Sequence, residues 1–562
     1  MDMTGQFIKW TKKIKLTSVT RSTVLFAVLL VGFAVIMVRL FVIQVLQSKY
    51  FKSYAQRQYL TRVIYPARRG EITDRNNITL GIDLDGYSFA ADPKQATDDK
   101  LKIATKFSQV FAKPINYYLN LLDYDSRFVW LERKCSMDYE SQIDVKKLEG
   151  MIVLPEFRRY YPWSNIGSTI IGTTGIDYGL SGSEYLFDKT LCGTDGVAKF
   201  KRNGLGIARY SSHISNKISG SDLKLSVDIL LTKTLRDDLQ KAIVKIHGIR
   251  SAFSCLIALN SDEILSSVSL PDFDPNDLKT FKDSAMCNRL LNQVFIPGKA
   301  LDLLFALKTE VIRGDNLVTM QINSEGLREI DCTKSLLKAR KKAMLQDVKN
   351  TRDILNELGF GHRVNIELPG QDIGYLLQTK TLELAIKNNL SLGDVIICSP
   401  IQLSNLYTQV FFGLGLEPSI RFDSSKWNQP VNPLLPLMEG VVLSANGPSN
   451  LDSKLMFEQL SFAQLYKFNT YFNDLYMSIG WFNSSGKTIL LIVGCEKEKS
   501  TNFAPTARLW KSQRDSFLRY EQIVKPGSIE LFQCNDNFRR MAQSITNEHS
   551  AALSKLIKVK EE

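Results

Sequence analysis

The chain has 562 residues, which at roughly 150 residues per domain indicates three or four structural units. Hydrophobic residues make up 44% and charged residues 23%, so disordered, collagen-like, coiled-coil and disulfide-stapled miniprotein classes are excluded. The 71 Lys and Arg exceed the 58 Asp and Glu, giving a formal charge of +13. No zinc, helix-turn-helix or RNP-type signature accompanies this charge, so an anionic surface is favoured over nucleic acid as its counterpart. The eight cysteines contain no CxxC pair and define neither a metal knuckle nor a disulfide framework.

The first predicted element is a membrane-spanning helix. Val24 to Val38 contains no polar residue, and the apolar pattern resumes after Arg39. The resulting stretch of about 23 residues is long enough to cross the roughly 30 Å hydrocarbon core of a bilayer. A cleaved signal peptide would have a shorter apolar region and a small-residue cleavage site, whereas Gln47-Ser48-Lys49 follows here. Residues 24–46 are therefore predicted to form an uncleaved single-span anchor.

Basic residues flank this helix on both sides, so the positive-inside count is nearly balanced. Long domains translocate largely regardless of charge, which permits a short cytoplasmic N-terminus (1–23) with the bulk of the chain outside. A single helix with no other intramembrane charge argues against a transporter or channel.

Two regions with different patterns follow the anchor. Residues 47–220 contain strand-like pieces separated by turns at Asn76-Asn77, at Asp85-Gly86 and at 179–182. From Ser221 the pattern predicts a sheet with helices packed on it. Its predicted elements are a strand at 223–228, a helix at 230–246, hairpin strands at 254–260 and 263–270, a helix at 400–414, and a strand, turn and strand at 478–495. Residues 496–562 end in helical, mixed-charge sequence without a fold signal of their own.

Short motifs occur along the chain in a recognisable order. In the first half they are Arg69-Gly70-Glu71-Ile72-Thr73-Asp74-Arg75-Asn76, Arg159-Tyr160-Tyr161-Pro162, Gly179-Leu180-Ser181-Gly182 and Glu184. In the second half they are Pro271-x-Phe273-Asp274-Pro275-Asn276, Pro297-Gly298, Gly359-Phe360-Gly361, Leu368-Pro369-Gly370 and Pro400-x-Gln402-Leu403. Their colinearity, from the anchor to about residue 495, resembles the class B penicillin-binding proteins, the membrane-anchored peptidoglycan D,D-transpeptidases.

The resemblance implies an α+β fold with one N-terminal transmembrane helix. A pedestal, similar to the penicillin-binding protein dimerisation domain, would occupy 47–220. A serine transpeptidase-like domain with an antiparallel central sheet flanked by helices would occupy 221–495, and 496–562 would be a C-terminal extension of unknown role. The expected location is the bacterial inner membrane, with most of the chain in the periplasm.

The catalytic residues of this family are absent from their expected positions. Transpeptidation needs a nucleophilic Ser and a Lys one helical turn later, together with SxN and KTG motifs. In the family this Ser directly follows a Pro-Gly pair, but here Pro297-Gly298 is followed by Lys299, and Asp302 stands at the position of the Lys. A lysine amine is protonated near neutral pH. We therefore predict that Lys299 and Asp302 form a structural charge pair instead of a nucleophile and base.

The other two motifs are also degenerate. The best register for SxN is Ser335-Leu336-Leu337, in which Leu337 replaces the amide, and Gln459-Leu460-Ser461 replaces KTG. No KTG or KSG occurs anywhere in the sequence. Without that Lys, the carboxylate of a stem peptide or β-lactam would lose its cationic partner, so binding should weaken as well.

Several literal matches compete with this interpretation. SxxK is spelled at Ser221, Ser335 and Ser484, and only Ser335 falls near the expected cleft, which makes it the first candidate for a relocated nucleophile. Ser444-Ala445-Asn446 spells SxN but comes too late in the family order. The four histidines (His213, His247, His362 and His549) lack zinc-binding spacing.

Three hypotheses remain open. The first is a catalytically inactive scaffold or regulator in peptidoglycan synthesis and cell division, the second is an active D,D-transpeptidase that uses Ser335, and the third is a relic in a lineage that has shed peptidoglycan crosslinking. The expected partners are the lipid bilayer and other envelope or cell-division proteins. Neither a cofactor, a metal nor a nucleic acid is expected.

Overall fold

The computed structural model describes residues 18–144, 148–202, 208–246, 248–295, 297, 301, 304–305, 318–322, 328–332, 348–387, 396–423, 442–443, 460–461, 474–497 and 506–524. The chain forms two compact units. The first comprises Met1–Pro66 and Thr194–Ile218, and the second comprises Ala67–Gly193 and Ser219–Glu562.

Helices and strands are interspersed along the described chain. The helices are α1 (Ser18–Phe41), α2 (Ser48–Tyr59), α3 (Lys100–Phe111), α4 (Ile115–Leu122), α5 (Asp138–Ile143), α6 (Ser168–Ile171), α7 (Gly182–Leu186), α8 (Asp188–Leu191), α9 (Ile229–Lys245), α10 (Asp283–Met286), α11 (Arg289–Asn292), α12 (Val348–Glu357), α13 (Thr379–Lys387), α14 (Pro400–Phe411) and α15 (Thr506–Val524). The strands are β1 (Leu60–Tyr65), β2 (Ile72–Thr73), β3 (Thr79–Ala91), β4 (Val129–Ser136), β5 (Met151–Tyr160), β6 (Gly196–Arg202), β7 (Ala208–Ser215), β8 (Leu223–Lys224), β9 (Ile249–Ala258), β10 (Glu263–Leu270), β11 (Val318–Ile322), β12 (Arg328–Cys332), β13 (Tyr375–Leu376), β14 (Ile396–Ile397), β15 (Val442–Leu443), β16 (Leu460–Ser461), β17 (Asp474–Ser484) and β18 (Lys487–Lys497).

The first unit contains the apolar helix and a small sheet. Helix α1 continues into a π-helical turn, Val42–Leu46, and the stretch Ser22–Leu46 has a mean hydropathy of 2.8 with none of it buried within the protein. By length and composition this stretch could cross a membrane. Strands β1, β6 and β7 form an antiparallel sheet in that order, with Leu60 opposite Lys201 and Tyr65 opposite Gly196.

The first half of the second unit is built around the long strand β3. Its sheet has the strand order β4-β3-β2-β8, and β5 pairs with β3 outside this order. The pairing of β5 with β3 runs from Ile82 opposite Tyr160 to Ala91 opposite Met151. Aromatic residues of α3 and α4 pack beneath this sheet, and the rings of Phe89 and Phe107 meet edge to face at 5.7 Å. Strand β2 pairs in parallel with β8, which connects this region to the second half of the unit.

The second half contains the antiparallel central sheet that the sequence predicts. Its described strands follow the order β10-β9-β18-β17-β15, and β16 also pairs with β17. Both predicted hairpins are confirmed, and β18 pairs with β9 to join them. Ser485 and Gly486, the two residues between β17 and β18, both have positive φ (51° and 76°), as a type I′ hairpin turn requires. The predicted α+β fold class is therefore confirmed.

Both faces of this sheet are covered, because side chains alternate along each strand. Leu491 packs against α9 and α15 together with Leu235, Trp510 and Phe517. Its neighbour Ile492 packs on the opposite face with residues of α14. Burial on both faces explains the continuous apolar sequence of β18.

Several predicted elements differ in extent from those observed, and the turn predicted at Asp85-Gly86 is wrong because both residues lie within strand β3. The strand predicted at 223–228 ends at Lys224, because Asp228 serves as the N-cap of α9 and accepts a hydrogen bond from the Leu231 N–H at 3.0 Å. The helix predicted at 400–414 ends at Phe411, two residues before Gly413, which has a left-handed φ of 71°.

Candidate functional site

The backbone beside the predicted nucleophile position is fixed by a pair of hydrogen bonds. The Phe295 N–H donates to the Cys398 carbonyl at 2.9 Å, and the Cys398 N–H donates to the Phe295 carbonyl at 3.0 Å. Pro297 is buried. Leu301, Leu304 and Phe305 are helical and at most 1% exposed. Their i, i+3, i+4 spacing is that of one helix face, so these three side chains lie on one face that is buried in the core.

A buried glutamine organises the segments around this position. Gln402 forms a capping box with Ser399 at the start of α14, and its Oε1 accepts from the Ser399 N–H at 2.9 Å. Its Nε2 donates to the carbonyls of Gly359 (3.1 Å), His362 (2.8 Å) and Ile373 (2.9 Å). One side chain therefore bonds three carbonyls of the single connection between α12 and β13, residues 358–374, which secondary structure leaves unpaired.

Two short strands pair with β17 at the edge of the central sheet, where the KTG motif of the family is expected. Strand β16 pairs antiparallel with β17, with Leu460 opposite Leu475 and Ser461 opposite Asp474. Strand β15 pairs with the same strand farther along, with Val442 opposite Gly480. The backbone at 460–461 thus occupies an edge position on the central sheet.

Most of the sequence-predicted site residues lie outside the described residues. These are Lys299, Asp302, Ser335, Leu337 and Gln459. Leu460 and Ser461 are described as backbone in β16.

Two of the three literal SxxK matches, at Ser221 and Ser484, lie among the described residues. Ser484 ends β17, and its hydroxyl donates to a Glu521 carboxylate oxygen. Ser221 is bound through its N–H to the Thr190 carbonyl at 2.9 Å. The Ser484 side chain and the Ser221 backbone therefore both take part in structural hydrogen bonds. Among the described residues, no group of three or more His, Cys, Asp or Glu is placed to hold a metal ion.

The Asp74-Arg75-Asn76 motif connects the first half of the second unit to the central-sheet half. Asp74 accepts from the Ile229 N–H at 3.3 Å, and Arg75 pairs with the fully buried carboxylate of Glu263 at 3.5 Å. The Asn76 amide donates to Asp228 at 3.1 Å. All three consecutive motif side chains therefore reach across to the second half.

Tyr520 of α15 completes this polar cluster. Its hydroxyl lies 2.8 Å and 2.9 Å from the two carboxylate oxygens of Asp228, and burial together with the charge of Asp228 raises the pKa of Tyr520. Sequence analysis assigned no helix here. The signal was the apolar spacing Leu509, Trp510, Phe517, which fits one helix face.

Burial raises the pKa of Asp74 from 3.8 to about 6, an effect opposed by the N–H of Ile78 and increased by the charge of Asp228. The folded chain therefore binds this proton more tightly than the unfolded chain. The free energy of unfolding should consequently fall as the pH rises from about 4 to about 6, by at most roughly 3 kcal/mol.

Replacement of this carboxyl group tests the assignment. In Asp74→Asn we expect the pH dependence in this window to flatten, because the titrating group is gone. Thermal unfolding of the full chain in detergent at a series of pH values measures it. The matched control, Asp98→Asn at an exposed position, should keep the parental slope, and a D74N slope equal to the parental one would refute the role of Asp74.

Comparison with known proteins shows which family this chain is similar to. Residues 64–225 match the family model described as the penicillin-binding protein dimerisation domain. The chain is 25% identical over 412 residues to the peptidoglycan D,D-transpeptidase FtsI of Buchnera aphidicola subsp. Schizaphis graminum, which covers 69% of this chain and 72% of that protein. It is 26% identical over 367 residues to FtsI of Escherichia coli K12, covering 61% and 62% respectively. Together these similarities support a class B penicillin-binding protein.

Solved structures show the same fold. Penicillin-binding protein PBP2 of Helicobacter pylori, solved in complex with MreC, superimposes with a TM-score of 0.58 at 15% identity, covering 82% of this chain and 98% of that chain. A peptidoglycan synthetase from Bifidobacterium adolescentis gives a TM-score of 0.53 at 15% identity, covering 84% and 98%. The penicillin-binding protein motifs named from the sequence at Arg69–Asn76, Arg159 and Glu184 all lie within the matched range 64–225.

Proposed function

We propose that this penicillin-binding protein is a membrane-anchored, catalytically inactive scaffold or regulator in peptidoglycan synthesis and cell division. One observation carries the proposal: Lys299 and Asp302 stand where the family has its nucleophilic Ser and its Lys. The absence of any KTG or KSG from the sequence points the same way.

The chemistry of this pair opposes acyl transfer. An ammonium group is not a nucleophile until it loses its proton, and a carboxylate one helical turn away favours the charged form. A working site needs the opposite arrangement, in which a hydroxyl gives its proton to a neutral amine. Lys299 and Asp302 are therefore better suited to a stabilising ion pair than to catalysis.

The frame around this position supports a structural role. Pro297 is buried, and the backbone pairing of Phe295 with Cys398 is intact. Gln402 keeps its hydrogen bonds to three carbonyls of the 358–374 connection. A chain that retains the buried scaffold while its catalytic positions carry other residues can still present the shape of a transpeptidase to partners.

We also propose a membrane anchor and a protein partner for this chain. The apolar stretch Ser22–Leu46 would hold the chain in the inner membrane, with the remainder in the periplasm. The H. pylori PBP2 neighbour was solved in complex with MreC. By analogy, we propose that an envelope or cell-division protein binds this chain.

Covalent labelling with a fluorescent penicillin tests the proposal. The full chain in detergent should form no adduct that survives denaturing electrophoresis, whereas E. coli FtsI prepared in parallel should be labelled. An adduct mapped to a serine of this chain by mass spectrometry would disprove inactivity.

The alternative is an active D,D-transpeptidase that uses Ser335, favoured by the Ser335-x-x-Lys338 spacing. If the chain is labelled, Ser335→Ala should abolish the adduct and Ser221→Ala, at another literal SxxK match, should not. Loss of labelling in S335A alone would establish this alternative.

A further inference from the structure

Helix α2 follows the apolar span almost immediately. The span ends at Leu46 and α2 begins at Ser48. The backbone at Gln47 leaves helical geometry (φ −102°, ψ 9°), and the Phe51 N–H donates to the Gln47 carbonyl at 3.1 Å to begin the new helix.

This helix has an aromatic face and a basic face. Tyr50, Phe51 and Tyr54 are 65%, 43% and 55% exposed. The rings of Tyr50 and Tyr54 stack at 6.4 Å, and that of Phe51 meets Tyr50 edge to face at 5.4 Å. At 100° per residue, Lys49 and Lys52 fall on the opposite side of the helix, and both are exposed.

All charged residues in the sequence around α2 are basic. Residues 47–66 contain four basic residues (Lys49, Lys52, Arg57 and Arg62), and no Asp or Glu occurs from Met3 to Gly70. An exposed aromatic cluster next to unopposed positive charge is the composition of interfacial helices that bind anionic lipids.

Distance along the chain places this helix at the lipid headgroups. At about 1.5 Å rise per helical residue, and at most about 3.5 Å for Gln47, which leaves helical geometry, Tyr50 lies within about 8 Å of Leu46. The headgroup layer on each side of a bilayer is about 5–8 Å thick. If Ser22–Leu46 spans the membrane, the first turn of α2 must therefore lie in that layer, where tyrosine is enriched.

We propose that α2 is an interfacial collar that binds anionic phospholipid headgroups through Lys49 and Lys52 and buries the aromatic face of Tyr50, Phe51 and Tyr54 at the boundary with the acyl chains. This inference rests on the proposed membrane anchoring. It adds a lipid-binding surface on the side of the span that carries the folded domains.

Amide hydrogen exchange of the full chain in nanodiscs tests the collar. Exchange within residues 48–59 should be slower in discs containing phosphatidylglycerol than in discs of phosphatidylcholine alone, with a contribution of about fivefold for each lysine near the surface. In Lys49→Glu with Lys52→Glu, this dependence on phosphatidylglycerol should disappear. In Tyr50→Ser, Phe51→Ser and Tyr54→Ser together, protection should be lost in both lipids.

The matched control reverses two exposed lysines with the same spacing in the other compact unit, Lys279→Glu with Lys282→Glu, and should leave exchange in 48–59 unchanged. Residues 22–46 report on the anchor separately. Rapid exchange there would overturn the anchoring, whereas a protected span with α2 exchanging equally in both lipids would overturn only the collar. Protection of α2 restricted to discs that hold two chains would also overturn it, by assigning the aromatic face to a second copy.

Discussion

Replacing Gln402 with leucine should lower the free energy of unfolding by about 3–5 kcal/mol, because buried polar groups left without a partner cost roughly 1–3 kcal/mol each. Gln402 is fully buried, and its amide bonds the carbonyls of Gly359, His362 and Ile373. Leucine has a similar volume but cannot donate to any of them. The full chain in detergent should unfold roughly 10 °C lower.

The comparison for this prediction is Gln378→Leu, the same substitution at an exposed position. That variant should change stability by less than about 0.5 kcal/mol. If Gln402→Leu unfolds at the parental temperature, as Gln378→Leu should, Gln402 does not stabilise the 358–374 connection as its hydrogen bonds indicate.

Replacing Arg159 with methionine should be similarly damaging. Its Nε donates to Glu184 at 2.7 Å and its Nη1 to Asp83 at 3.2 Å, and the two carboxylate side chains are 0% and 5% exposed. Burial by itself lowers the pKa of Arg159, but the charges of Glu184 and Asp83 outweigh it and the pKa is raised. Removing the cation leaves buried negative charge, at a cost of about 3–5 kcal/mol.

Its neighbour on β5 provides the control. The guanidinium of Arg158 lies 5.9 Å from the centre of the Tyr160 ring. Arg158→Met should therefore lower the free energy of unfolding by at most about 1 kcal/mol. Thermal unfolding of the two variants, measured side by side, should separate them clearly. Equal midpoints for R158M and R159M would contradict the assigned role of the Arg159 ion pairs.

The motif order predicted which residues matter in the first half of the second unit, but not how they meet. Arg69 and Glu184 are 115 residues apart in sequence, yet the Arg69 Nε donates to Glu184 at 2.7 Å. Arg159 binds the other oxygen of the same carboxylate. A linear pattern carries no distances between remote positions, so the shared carboxylate became visible only in the folded chain.

The central sheet was largely predictable because its signals are local. Apolar runs of strand length with turn residues between them define the two hairpins, and both occur with the expected turns. The pairing of β18 with β9 was not predictable, because apolar strands fit many partners equally well.

Helix α15, unlike the hairpins of the central sheet, was not predicted from the sequence. Its polar residues obscure its role in the sequence, but Trp510 donates to the Leu491 carbonyl at 2.9 Å, and Gln513 donates to the Leu235 carbonyl at 3.0 Å. Tyr520 reaches Asp228, 292 residues earlier in the chain. These bonds are specific to groups that only the folded sheet brings together.

The sequence by itself determined the apolar span and the fold class, and it is the source of the proposal that Lys299 and Asp302 stand at the positions of the family's Ser and Lys. Each of these depends on residue type at fixed local spacing, which the amino-acid order contains. Only the tertiary structure decided that Gln402 bonds three carbonyls of the 358–374 connection, that Glu184 is shared by two arginines, and that Tyr520 contacts Asp228. Those contacts depend on the burial and approach of distant segments, and chain order does not encode these properties explicitly.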